Sequence, residues 1–256
     1  MGQEITDRDE DGMNDRDDLF YARWILANGV AEGIGLGITL SLAHFAIDSL
    51  RAQAGGPPVL LGALLAVAMG TLLQRGVVGW AQGVVLRSRT PRIAPGAWAL
   101  ATAAGVCLAW VIGALPGTVQ EMRGSEAAAH SVTNAIAHAV PDGLLPAASL
   151  GLALGVISAL PQWGILTRSV PGAWRWPLAS GAAWGAGMTT LWIGMDLVPW
   201  HAGAVAIVAS LHGLGASAGI MVGAVNGWVL TPLLSEADAH VPESSPRADG
   251  RKAKPA

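Results

Sequence analysis

A chain of 256 residues with 52% apolar and 13% charged side chains falls well below the ~25% charge of a soluble domain, which excludes an ordinary water-soluble globule. The net charge is −3, and charge is dense only before Phe20 and after Leu234, so there is no basic surface for nucleic acid. A single cysteine, Cys107, excludes a disulfide framework and a cysteine-based metal site.

The first 18 residues read as an acidic tail. Asp7, Asp9, Asp11, Asp15 and Asp18 stand at loop positions 1, 3, 5, 9 and 12, with Gly12 at position 6, which is calcium-loop spacing. In such a loop alternate carboxylates converge on one ion and the glycine permits the turn. Asn14 stands where an EF-hand has an apolar residue, and Asp18 replaces the bidentate glutamate. The segment is similar to the loops of thrombospondin type-3 repeats and dockerins, and the resemblance implies calcium. The plainer alternative is a solvated acidic tail. An acidic start is unlike a cleaved signal peptide, so the first apolar segment is expected to stay in the membrane.

A bilayer span needs ~20 apolar residues. Segments 19–50, 58–86, 96–115, 144–166, 173–198 and 202–230 meet that length. Gly and Pro clusters separate them, notably Gly55-Gly56-Pro57-Pro58, Pro91 to Pro95, Pro116-Gly117 and Pro171-Gly172. The predicted fold class is all-α, a polytopic membrane helix bundle of six transmembrane helices with a polar tail at 231–256. Arg87, Arg89, Arg92, Arg168 and Arg175 crowd two connections on the side of the tails, whereas the other side offers Arg51 and Arg123. The positive-inside rule therefore places both termini in the cytoplasm.

The segments pair into three tandem hairpins, about 19–86, 96–166 and 173–230. Trp24, Trp98 and Trp174 open the odd helices. An amide followed four residues later by leucine closes each even one: Gln82 and Leu86, Gln162 and Leu166, Asn226 and Leu230. The best match aligns Pro95-Gly-Ala-Trp98 with Pro171-Gly-Ala-Trp174, each with glycine seven residues on, Gly105 and Gly181. Chance similarity in an apolar sequence of low complexity is the alternative. These Trp-opening, Gly-rich hairpins resemble those of uncharacterised multipass membrane proteins of bacteria, notably cyanobacteria and their neighbours, from Trp24 to Leu230. The resemblance implies a fold and a bacterial inner-membrane location, but no activity.

Glycines recur every four residues at Gly29, Gly33 and Gly37, at Gly151 and Gly155, at Gly181 and Gly185, and from Gly215 to Gly227. Such faces let helices pack closely, either within the chain or against another membrane protein or a second copy. Gly215-Ala-Ser217-Ala-Gly219 resembles the serine motif of rhomboid proteases. The only later histidine is His240 in the polar tail, so no membrane histidine could activate that serine.

Glu32 and Arg75 fall inside the first hairpin at similar depth, where each is costly unless paired. They are expected either to fix its register or to line a proton or anion path, with Gln74 assisting. His44 and Asp48, Asp196 and His201, and His212 lie toward the far half. Carboxylate-histidine groupings of this kind bind metal, orient a haem or pigment, or relay protons, unless they are ordinary interfacial residues. The 117–143 connection carries His130, Asn134 and His138 on one stripe, as in a surface helix. The expected function is a non-enzymatic scaffold or a subunit of a membrane complex. The alternatives are a small transporter or channel using Glu32, Arg75 and the outer histidines and acids, or a haem- or pigment-binding protein. No catalytic constellation points to an enzyme.

Overall fold

A computed structural model describes the backbone over residues 3–52, 57–121 and 143–239, and side chains over 15–45, 68, 70–109 and 143–239. Among the described residues there are six helices and no strand: α1 (Gln3–Ala52), α2 (Pro57–Arg87), α3 (Pro95–Glu121), α4 (Leu144–Leu166), α5 (Arg175–Met195) and α6 (Ala204–Ala239). Each expected segment has become a helix. The stripe at His130, Asn134 and His138 and the C-terminal tail from residue 240 lie outside the described residues.

The acidic tail differs from its expected form. Residues Asp7 to Asp18 belong to the continuous helix α1, with no loop turn at Gly12. A helical backbone turns about 100° per residue, so alternate positions do not converge on one point as they do in a calcium loop.

Three stretches are long and apolar enough to cross a membrane: Asp15–Phe45 of α1, and α4 and α6, with mean hydropathies of 1.5, 1.8 and 1.8. Pro95–Ala109 of α3 is a shorter apolar helix. Length and composition thus give three spans among the described residues, where the sequence reading expects six. α5 is rich in Trp, Gly and Thr, which lower hydropathy even where they are buried, and the described side chains of α2 and α3 cover only part of each helix.

The helices form a closed ring. Each packs mainly on its neighbours in sequence, and α6 returns to α1 in the most extensive interface of all. The ring is polar inside and apolar outside. Asn28, Glu32, Gln82, Gln162, Ser180 and Asn226 are buried, while Leu26, Val30, Ile34 and Ile38 form an exposed stripe on α1 at spacing four. Leu73, Val77, Trp80 and Val84 form another exposed stripe on α2, at spacings of four and three. That inversion of a soluble core suits a hydrocarbon surround.

Glycine sets the close approach. A Cβ at Gly105 would lie 1.9 Å from the Ser158 carbonyl oxygen, at Gly155 2.4 Å from that of Ser180, and at Gly219 2.5 Å from that of Asn28. These contacts hold α3 on α4, α4 on α5, and α6 on α1. The glycine faces that would serve an oligomer interface are thus occupied within the chain.

One end of the ring gathers both ends of the described chain. Arg89, in the α2–α3 connection, donates to Asp17 of α1, to Asp238 of α6 at 3.0 Å and to Ser235 at 3.2 Å. Ser235 in turn donates to Asp17 at 2.7 Å. Burial works against the Arg89 charge, but hydrogen bonds and coulombic attraction from Asp17 and Asp238 outweigh it and hold its pKa above the ordinary arginine value. Arg175, at the start of α5, lies 3.7 Å from Glu236. The arginine-rich connections and the tails therefore share one end.

Replacing Gly105 by Ala should destabilise the protein by about 1–3 kcal/mol or more, because backbone must move to admit the methyl. Gly76, whose Cβ would meet nothing within 4 Å, should accept Ala with no loss. Thermal unfolding of the two variants in detergent checks this, and equal melting would contradict the packing.

Candidate functional site

The centre of the ring is built by a tryptophan joint that occurs three times. Trp98 of α3 donates its indole N–H to Gln82 Oε1 of α2 at 3.0 Å, and Trp176 of α5 donates to Gln162 Oε1 of α4 at 3.0 Å. Trp24 of α1 donates to Asn226 Oδ1 of α6 at 2.8 Å, across 202 residues of sequence. Each joint ties the end of one hairpin to the start of the next, and the third closes the circle.

The third tryptophan is not the one the sequence match selects. Trp174 is 60% exposed, whereas Trp176 is 1% exposed and makes the bond. The tetrapeptides Pro95-Gly-Ala-Trp98 and Pro171-Gly-Ala-Trp174 look alike but fold differently. Pro95 is the first residue of α3, where its missing N–H costs nothing. Pro171-Gly172 makes a turn with Gly172 at φ 70, a conformation glycine adopts readily, and α5 starts only at Arg175. The helix is delayed, and the inward position moves on by two residues.

A second polar layer lies one turn further along, four residues after each tryptophan: Asn28, Thr102 and Ser180, all buried. Gln82 Nε2 donates to Asn28 Oδ1, and Gln162 Nε2 to Thr102 Oγ1, both at 2.8 Å. Asn28 Nδ2 and Thr102 Oγ1 donate to the carbonyls of Trp24 and Trp98, again at 2.8 Å. The result is one hydrogen-bonded path from Trp176 through Gln162, Thr102, Trp98, Gln82, Asn28 and Trp24 to Asn226, touching all six helices. It stops at one seam. No side-chain bond joins Asn226 to Ser180, where the amide is one methylene shorter than the glutamines of the other two joints. The sequence reading missed this layer, although a polar residue four after each inward tryptophan was there to be seen.

A central cavity of about 20 Å³, room for one or two waters, opens among these layers. On the side of the chain ends it is closed by a dry layer of Trp24, Trp98 and Trp176 with Leu86, Leu166 and Leu230, all buried. Trp176 lies edge-on to Trp24 at 6.1 Å and tilted against Trp98 at 5.7 Å.

One turn beyond the second layer the pattern breaks. Glu32 stands eight residues after Trp24, where the other hairpins have Val106 and Trp184, and all three line the cavity. Glu32 Oε1 accepts from Arg75 Nη1 at 2.7 Å, and Oε2 accepts from Gln74 Nε2 at 2.6 Å. Gln74 Oε1 accepts from Thr39 at 3.2 Å. The Arg75 guanidinium lies 4.2 Å from the centre of the Trp184 ring, a cation–π contact. Glu32 is 1% exposed and Arg75 15%. Arg75 Nε is the one buried side-chain polar atom without a hydrogen-bond partner among the described residues. Glu32, Arg75 and Gln74 therefore meet as the sequence suggests, with Trp184 as a participant that spacing could not reveal.

The remaining candidates do not join this centre. The His44 ring packs against Phe45 and Trp200 at 5.2 and 5.0 Å. His212 covers Gly37, and its Nδ1 lies 2.8 Å from the Val208 carbonyl. Asp196 caps the end of α5 and, like His201, is exposed. The side chains of Asp48, Asp7, Asp9 and Asp11 lie outside the described residues, and Asp15 and Asp18 are exposed. Among the described residues no three His, Cys, Asp or Glu side chains are grouped to hold a metal. No protein family model matches the chain, and no curated protein or solved structure matches it either.

Trp176→Phe keeps the ring but strands the buried Gln162 oxygen, and should cost about 1–3 kcal/mol. Trp174→Phe should change stability by less than about 0.5 kcal/mol, as surface changes do. Denaturation of the two variants decides the register, and a larger loss at Trp174 would restore the tetrapeptide alignment.

Proposed function

We propose that the chain is a six-helix integral membrane protein of three tandem hairpins, with both termini cytoplasmic, that binds and moves a small ion at its polar centre. The observation that carries this is the Glu32–Arg75 pair beside the central cavity. Each charge in a membrane helix costs roughly 2.5–3.5 kcal/mol even on insertion scales. The Trp–amide joints already tie hairpin to hairpin, and the other two hairpins do without charges at the equivalent depth. A pair retained in one hairpin only, facing the cavity, is better explained by use than by architecture. The cavity size suits an ion or water and excludes an organic solute in this closed form. Among the described residues the cavity lining contains no histidine to serve as an axial ligand to haem or pigment.

A scaffold is the second reading. The small cavity and the three joints favour it, and in that reading Glu32–Arg75 only fixes the register of the first hairpin. Ion flux into proteoliposomes separates the two. Transport predicts flux above empty vesicles that falls by roughly tenfold or more in Glu32→Gln and Arg75→Gln, because each variant removes one charge of the ion site. A scaffold predicts no flux from the native protein, with both variants merely less stable.

A further inference from the structure

We infer that the centre takes up a halide-sized monovalent anion at Arg75 together with a proton on Glu32. The inference rests on reading the centre as an ion site and names the ion. Both oxygens of Glu32 already accept hydrogen bonds, from Arg75 and Gln74, so an arriving cation competes with the Arg75 charge for the carboxylate. An anion meets Arg75, which lines the cavity and whose buried Nε–H has no hydrogen-bond partner. It also meets the seam where the hydrogen-bonded path stops: Asn226 and Ser180 both line the cavity, with the Asn226 amide N–H and the Ser180 hydroxyl outside the network. Three donors at the site are thus left without a bond: the Arg75 Nε–H, the Asn226 amide N–H and the Ser180 hydroxyl. Its volume, room for one or two waters, fits a monatomic anion.

Charge balance supplies the proton. Glu32 and Arg75 together are neutral, and an anion alone would leave a net negative charge in a low-dielectric centre, which is costly. A proton placed on Glu32 Oε1 breaks the ion pair, keeps the centre neutral and turns Nη1 toward the anion. Among the described residues no other titratable group lines the cavity. α3, α4 and α5 bring none to it, and on α6 the nearest is His212, further along at Gly37. Proton and anion enter together and leave together, with no bond made or broken beyond that O–H.

The test uses the purified protein in detergent and chloride-free gluconate buffer. Potassium chloride is titrated by calorimetry while a pH indicator follows protons in weak buffer. Saturable chloride binding is expected, with about one proton taken up per ion and an affinity that falls about tenfold per pH unit in the alkaline range, the slope of one coupled proton. Arg75→Gln should lose chloride binding. Glu32→Gln should keep it, without proton uptake or pH dependence. Heats identical to those of potassium gluconate, or chloride binding without proton uptake, would overturn the inference from the native protein alone, whether or not the variants fold. Cation flux through the centre without halide binding would also overturn it and leave the central-site reading standing.

Discussion

The structure depends on the indole N–H to amide bond that joins each hairpin to the next. In hydrocarbon, apolar helix faces gain little from meeting one another, so association relies on close packing and interhelical hydrogen bonds. A tryptophan serves both needs: its ring fills the layer at the end of the cavity, and its single donor demands a partner. The partner is an amide, which accepts from the indole and still has an N–H₂ to pass on. In Gln82 and Gln162 that second donor carries the network back across the same hairpin, to Asn28 and Thr102 on its first helix. Glycine then brings the backbones close enough for such short side chains to reach.

Where the pattern repeats, the structure explains itself as architecture. Where it fails, the chemistry collects. Asn226 is shorter than Gln82 and Gln162, so the path of bonds stops beside Ser180. Glu32 replaces the Val106 and Trp184 of the other hairpins, and Arg75 answers it with Trp184 across its face. These departures from repetition all face one cavity. At the end with the chain tails, the dry tryptophan layer and the Arg89 clamp on Asp17, Ser235 and Asp238 seal the ring.

Much of this was legible in the sequence because membrane helices announce themselves by length and by their breakers. The six helical segments and the meeting of Glu32 with Arg75 follow from hydropathy, spacing and the cost of charge in lipid, although three stretches rather than six are long and apolar enough to cross a membrane. Two features misled. Pro171-Gly-Ala-Trp174 matches Pro95-Gly-Ala-Trp98 in letters, but backbone conformation at Gly172 delays the helix, and no letter comparison shows a dihedral. The acids from Asp7 to Asp18 have loop spacing, yet the chain there continues as helix α1. In space, His44 packs on Trp200 and His212 on Gly37. The roles of Trp184 and Arg89 depend on neighbours from 72 to 149 residues away, beyond what local pattern can reach.

The closing joint between the first helix and the last is the most exposed part of this account. A double-mutant cycle across Trp24→Phe and Asn226→Leu, read by unfolding in detergent, measures whether the two side chains act as a pair. The ring predicts a coupling energy of about 0.5–3 kcal/mol. Additive losses, with coupling near zero, would mean that α6 does not close on α1 through this bond, and the enclosed polar centre would lose its foundation.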